Sequence, residues 1–128
     1  MYERPDGLYW GLVLDAPEAK PLAEFYSAVL GWRIDKIEPG FVTLYPGEGV
    51  GYVAVQSSPE YVPPVWPAEA GQQQMMLHID VEVSDLEAAV DHAVEQGARL
   101  AAYQPQEQVR VMLDPVGHPF CLYIDTSG

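Results

Sequence analysis

One order of elements occurs twice along this chain: a β-rich run, an amphipathic helix and three further β-rich runs, then the same series again. Two helical stripes anchor the repeat. In the first, Leu22, Phe25, Tyr26, Val29 and Leu30 follow the spacing that puts apolar side chains on one face of a helix. Pro21 suits the first turn, where its missing N–H costs nothing, and Gly31 supplies the left-handed residue that stops the helix. In the second, Ser84 and Glu87 spell a capping box, with Asp85 favourable to the helix dipole. Leu86, Ala89, Val90, Ala93 and Val94 form its stripe, and Gly97 ends it.

The remaining runs alternate or are rich in β-formers. They predict strands at Leu8–Leu14, Arg33–Ile37, Phe41–Tyr45 and Gly51–Gln56, then at Met75–Val83, Arg99–Tyr103, Val109–Leu113 and Phe120–Ile124. Pro39-Gly40, Pro46-Gly47-Glu48-Gly49 and Asp114-Pro115-Val116-Gly117 are turn sequences between them. Ser57–Gln74, with Pro59, Pro63, Pro64 and Pro67, is too Pro-rich for a helix or central strand. The organisation expected is one α+β domain over residues 1–128, with a module at about 7–56, a connection at 57–74 and a module at about 75–125.

Composition narrows the function classes. At 128 residues, 48% of them apolar, the chain suits one globular core. No apolar run approaches the roughly 20 residues that span a bilayer. Met1–Gly7 has neither a basic start nor an apolar stretch, so a secretion signal is not expected and the cytoplasm is the expected location. The single cysteine, Cys121, precludes an internal disulfide and a Cys-rich zinc site. Nineteen acids against six bases give a net charge of −13, which repels nucleic acid and anionic membranes. Such a surface steers cationic ligands, and it also keeps a protein soluble.

The duplicated module resembles the vicinal-oxygen-chelate superfamily, which includes glyoxalase I, fosfomycin and bleomycin resistance proteins and extradiol dioxygenases. Phe25-Tyr26-Ser27-Ala28-Val29-Leu30-Gly31-Trp32 looks like that family's "FY…LGW" helix end. His78-Ile79-Asp80-Val81-Glu82-Val83-Ser84-Asp85 is similar to the opening strand of its second module. Asp114–Leu122 resembles its "DPxGNxF" hairpin, with His118 in place of Asn. The resemblance implies two β-α-β-β-β modules whose curved mixed sheet lines a concave cavity, helices outside.

It also implies a metal ligand, typically His or Glu, on each of four strands. Carried onto this chain, those positions hold His78 and Cys121 in the second module, and Tyr9 with Tyr52 or Ala54 in the first. That is a poor donor set for Ni, Zn, Fe or Mn. Alternation puts Met76, His78, Asp80 and Glu82 on one strand face and Leu77, Ile79, Val81 and Val83 on the other. Residues two apart on a strand lie about 6.5 Å apart, which argues against Asp80 joining His78 on one ion or in a direct hydrogen bond. No metal and no other cofactor are therefore expected.

The remaining residues divide by environment. Trp10, alternating with Leu12 and Leu14, reads as core, and Trp32 as a staple for the helix end. Trp66, in the connection, reads either as cover for a cavity or an oligomer seam or as ordinary packing. His92 reads as surface and His118 as turn chemistry. Cys121 has no basic neighbour in sequence and reads as an inert thiol. The expected function is metal-free binding of a small molecule, cationic or aromatic, against Tyr9, Tyr52, Gln56, Trp66, His78, Asp80, Cys121 and Tyr123. The alternatives are a lyase, isomerase or dioxygenase with His78 as general base, and a dimeric interaction module. A homodimer is expected in each case.

Overall fold

A computed structural model describes residues 9–125 of the chain, in two compact units that divide between Tyr61 and Val62. Leu8, the start of the first expected strand, lies outside the described residues. The first unit runs β1 (Trp10–Ala16), α1 (Ala19–Leu30), β2 (Arg33–Glu38), β3 (Phe41–Tyr45) and β4 (Gly51–Ser57). The second runs β5 (Ile79–Glu82), α2 (Leu86–Glu95), β6 (Arg99–Leu100), β7 (Val109–Leu113) and β8 (Pro119–Tyr123). The fold is α+β. Each unit is a four-stranded mixed sheet, ordered β1-β4-β3-β2 in one and β5-β8-β7-β6 in the other. The first strand of each runs parallel to the last, and the other pairs are antiparallel.

In the first unit, α1 packs on the sheet with Leu22, Phe25 and Tyr26 buried, and Val42, Leu44, Val53 and Val55 of β3 and β4 are buried with them. The Phe25 and Tyr26 rings meet edge to face, 4.9 Å between centroids. Val29 and Leu30, at the end of the stripe, are half-buried. The helix starts two residues before Pro21, which therefore sits in its first turn. Glu18 does not cap it. The Ala19 N–H donates instead to Ser57 Oγ at 2.9 Å, so the end of β4 closes the N-terminus of α1. Gly31 takes φ 73° and returns its N–H to the Ser27 carbonyl, as a helix-stopping glycine does.

The second unit corrects several expectations. The cap of α2 is Asp85, whose carboxylate accepts from the Ala88 N–H at 3.0 Å; the anticipated box on Ser84 lies one residue too early. Only Ala93 of the helix stripe is fully buried, and Val94 is exposed. The strand expected from Met75 begins at Ile79, where pairing with β8 starts. Met76 and Leu77, at 79% and 75% exposure, belong to no sheet face. The strand expected over Arg99–Tyr103 pairs for two residues only. Beyond Ala101, whose N–H still donates to the Val111 carbonyl at 3.0 Å, the Gln104 side chain replaces the ladder: its Nε2 donates to the Ala101 and Val111 carbonyls, and its Oε1 accepts from the Val111 N–H. Trp10 is 62% exposed, against its reading as core.

The turn before β8 is built around a fully buried carboxylate. Asp114 Oδ1 accepts from the N–H groups of Val116 and His118 at 3.0 Å, and Oδ2 lies 2.7 Å from His118 Nδ1. A buried acid is tolerated when its oxygens are satisfied in this way. His118 is therefore a structural partner of Asp114. Gly117 closes the turn at φ 100°, and a Cβ there would meet Pro63 at 2.9 Å. No helix of the described residues is long and apolar enough to cross a membrane.

Two stability outcomes follow. Phe25→Ala should cost about 3–5 kcal/mol in denaturant unfolding, while Val94→Ala on the exposed end of α2 should change stability by less than about 0.5 kcal/mol. Asp114→Ala should cost about 3 kcal/mol, because two N–H donors and the imidazole lose their buried acceptor together.

Candidate functional site

Alternation divides the first sheet. Val42, Leu44, Val53 and Val55 enter the core, so Phe41, Thr43, Tyr45 and Tyr52 stand on the opposite face. That face carries a pocket of about 530 Å³ lined by those four residues with Tyr9, Arg33, Asp35, Lys36 and Glu38. Tyr9 meets Tyr45 edge-on at 6.4 Å, and the Arg33 guanidinium lies 5.5 Å from the centre of the Tyr45 ring. The Tyr45 hydroxyl donates to the Gly49 carbonyl at 2.6 Å, which fixes the ring. Tyr52 folds across its register partner Gly11, where a Cβ would come within 2.4 Å of the ring. Sequence reasoning selected Tyr9 and Tyr52 and missed Tyr45, Arg33 and Gly11. The strict alternation of β3 carried the signal for Tyr45.

In the second sheet the parallel register pairs Asp80 with Cys121 and Glu82 with Tyr123. These side chains share one face, where His78, Asp80, Gln106, Val109, Cys121 and Tyr123 line a pocket of about 300 Å³. His78 stands just ahead of β5, and its Nε2 lies 3.0 Å from Asp80 Oδ1. The spacing argument against a direct contact thus fails. The strand rise separates Cα atoms, but an imidazole and a carboxylate that lean together close the gap, and His78 is not held by strand pairing. Burial pushes the Cys121 thiol up to about 11, with the Asp80 carboxylate adding to the shift through its charge and a hydrogen bond. At neutral pH this is a protonated thiol, not a nucleophile.

Gln56 and Trp66 line neither pocket. Gln56 is exposed, and its Nε2 donates to Asp15 Oδ1 at 2.7 Å across the β1–β4 pair. Trp66 is half-buried, 6.2 Å from the Tyr103 ring, and its indole nitrogen is buried without a hydrogen-bond partner among the described residues. His92 is exposed on α2. The eight ligand-binding candidates are therefore dispersed: Tyr9 and Tyr52 on one sheet, His78, Asp80, Cys121 and Tyr123 on the other, Gln56 and Trp66 on neither pocket.

The donor chemistry can be set against the metal that the resemblance implies. The first unit offers Tyr9 with Tyr52 or Ala54 at the corresponding positions, at best two phenols. In the second, His78, Asp80 and Cys121 bring one ligand atom each, all within 4.8 Å of one another. Nitrogen, carboxylate oxygen and sulfur are the donors that zinc-like ions take, and three of them meet the minimum of an open site. This set fits an ion.

Comparison with known proteins agrees with the fold. A family model described as a glyoxalase-like domain matches residues 11–123. Among solved structures, a glyoxalase/bleomycin resistance protein/dioxygenase family enzyme from Burkholderia phytofirmans aligns at TM-score 0.67 and 15% identity, covering 89% of this chain and 95% of that one. A glyoxalase-related enzyme from Fulvimarina pelagi aligns at 0.66 and 14% identity, covering 93% and 88%. The fosfomycin resistance protein FosX from Mesorhizobium loti aligns at 0.62 and 14%, covering 97% and 96%. Identities this low establish the common fold alone. No curated protein sequence matches the chain. The family model spans both β-α-β-β-β units, and the chain belongs to the glyoxalase-like family of the vicinal-oxygen-chelate superfamily.

Proposed function

We propose that this chain is a cytoplasmic small-molecule-binding protein whose first unit holds a flat aromatic compound. The observation that carries the reading is the wall of Tyr9, Phe41, Tyr45 and Tyr52 around a pocket of about 530 Å³. That volume falls within the range of roughly 300–1,000 Å³ occupied by small-molecule sites, which are aromatic with a few polar groups. Arg33 and Lys36 balance Asp35 and Glu38 in the lining, so neither sign of ligand charge is selected locally. Stacking then sets affinity. The net charge of −13 acts at longer range and favours the approach of cations.

Calorimetric titration with a planar series, an acridinium cation, a neutral naphthol and a naphthoate, tests this. All three should bind, the cation most strongly at low salt and with that advantage lost as ionic strength rises. Tyr52→Ala should weaken each about tenfold, in keeping with the loss of an aromatic contact and its buried area. Equal affinities in the variant and the parent would remove the pocket from consideration.

We also propose that two copies of the chain associate through β1. This strand is the edge of its sheet and presents Trp10, Leu12 and Val13 to solvent. A sheet edge with exposed apolar side chains is a template for pairing, and aromatic residues are enriched where proteins meet. Trp66, half-buried beside Tyr103, is less well placed for that role. Light scattering should give about twice 14.1 kDa at micromolar concentration, and Trp10→Lys should return the monomer mass. A parent mass of 14.1 kDa would end this reading.

A further inference from the structure

The pocket of the first unit carries, besides its rings, four charges that stacking does not use. We infer that its ligand is an aromatic zwitterion, a flat ring bearing a carboxylate and an ammonium on a short side chain, with Lys36 holding the carboxylate and Glu38 the ammonium. This rests on the aromatic-binding reading and names the ligand class of that same pocket.

A slip in strand register creates the charged wall. Ile34 pairs with Leu44 and Lys36 with Thr43, so Asp35 is an extra residue with no partner on β3. Unbroken alternation from Arg33 would send Lys36 and Glu38 to the helix side of the sheet. The slip resets the phase. Lys36 comes opposite Thr43 and Glu38 opposite Phe41, on the pocket face, while Ile37 comes opposite buried Val42. Bulges re-aim side chains in this way beside functional sites. Arg33, Asp35, Lys36 and Glu38 thus follow one another along the pocket with alternating sign.

Two of the four are already engaged. The Arg33 guanidinium lies 5.5 Å from the centre of the Tyr45 ring and 3.9 Å from the Asp35 carboxylate. Lys36 and Glu38 form no ion pair with each other or with any other of the described residues. They stand one strand repeat apart, roughly 6.5 Å, so both can close on a single small head group.

The rings lie next along the same face. Tyr45 follows Thr43 by two residues, and Tyr52 precedes Val53, the partner of Leu44, which sets it beside Tyr45. A head group held between Lys36 and Glu38 therefore has its ring against Tyr45 and Tyr52. A ligand of one sign would gain one of the two charges and face a like charge in the other. A zwitterion meets both. Exposed ion pairs are individually weak, so the selection comes from the two acting together.

Calorimetric titration of the full chain at about 0.15 M salt, where the long-range effect of net charge is screened, tests this. Tryptophan is compared with tryptamine and indole-3-propionate, which keep the ring and lose the carboxylate or the ammonium. Tryptophan should bind at least about fivefold more tightly than either, the most that one exposed ion pair ordinarily contributes. Lys36→Gln should lower tryptophan affinity about fivefold without weakening tryptamine. Glu38→Gln should lower it to a similar extent without weakening indole-3-propionate. Tryptamine or indole-3-propionate binding as tightly as tryptophan would overturn the zwitterion assignment and leave aromatic binding standing. So would variants that weaken all three indoles alike. If no indole binds and the neutral naphthol fails as well, the aromatic pocket itself falls, and this assignment with it.

Discussion

Everything that distinguishes this structure depends on a parallel pairing made twice, β1 with β4 and β5 with β8. A parallel pair cannot be closed by a tight turn, so the chain must cross over one face of the sheet, and in each unit a helix makes that crossing. The crossing commits one face to the core. The other face is left for function, and the residues opposite each other on the parallel pair become neighbours by register alone. In the first unit this juxtaposes Gly11 and Tyr52, in the second Asp80 and Cys121. One architecture thus carries an aromatic wall in one unit and a polar cluster of His78, Asp80 and Cys121 in the other.

The duplicated order, both helices and most strand positions were legible because each follows from a strong periodicity. The apolar stripe from Leu22 to Leu30 has no competing reading, and the alternation of Phe41–Tyr45 reproduces the observed strand. The failures share a cause: local pattern does not report on pairing. Met76 and Leu77 alternate acceptably but have no strand beside them. The residues after Ala101 yield their ladder to Gln104, whose side chain carries a carbonyl and an amide in the spacing of a peptide group. Trp10 looked like core from its own strand, yet burial is decided by what lies across from a face.

The site was legible in part, and along the same divide. Tyr9, Tyr52, His78, Asp80, Cys121 and Tyr123 all line one of the two pockets; for Tyr52, Asp80, Cys121 and Tyr123 that facing follows from alternation within regular strands. What alternation could not supply was distance. His78 and Asp80 meet because His78 lies outside the paired segment, where the regular rise no longer separates neighbouring side chains. Gln56, also named as a candidate, is engaged with Asp15 across the strand pair and lines neither pocket. Arg33 was invisible because it joins the aromatic wall from β2, and cross-strand cation–π contact leaves no trace in one strand's pattern.

Gly11 gives the first unit a history as well as a shape. Its missing side chain is the space in which the Tyr52 ring rests, and any Cβ would drive that ring off the strand. The two positions can therefore drift only in a fixed sequence: the tyrosine must shrink before the glycine can grow. A lineage that enlarged residue 11 first would push Tyr52 out of the aromatic wall in a single step, whereas one that first replaced Tyr52 could fill the floor of the pocket at leisure. The order of substitution, not only their sum, decides which ligands descendants of this chain could still accommodate.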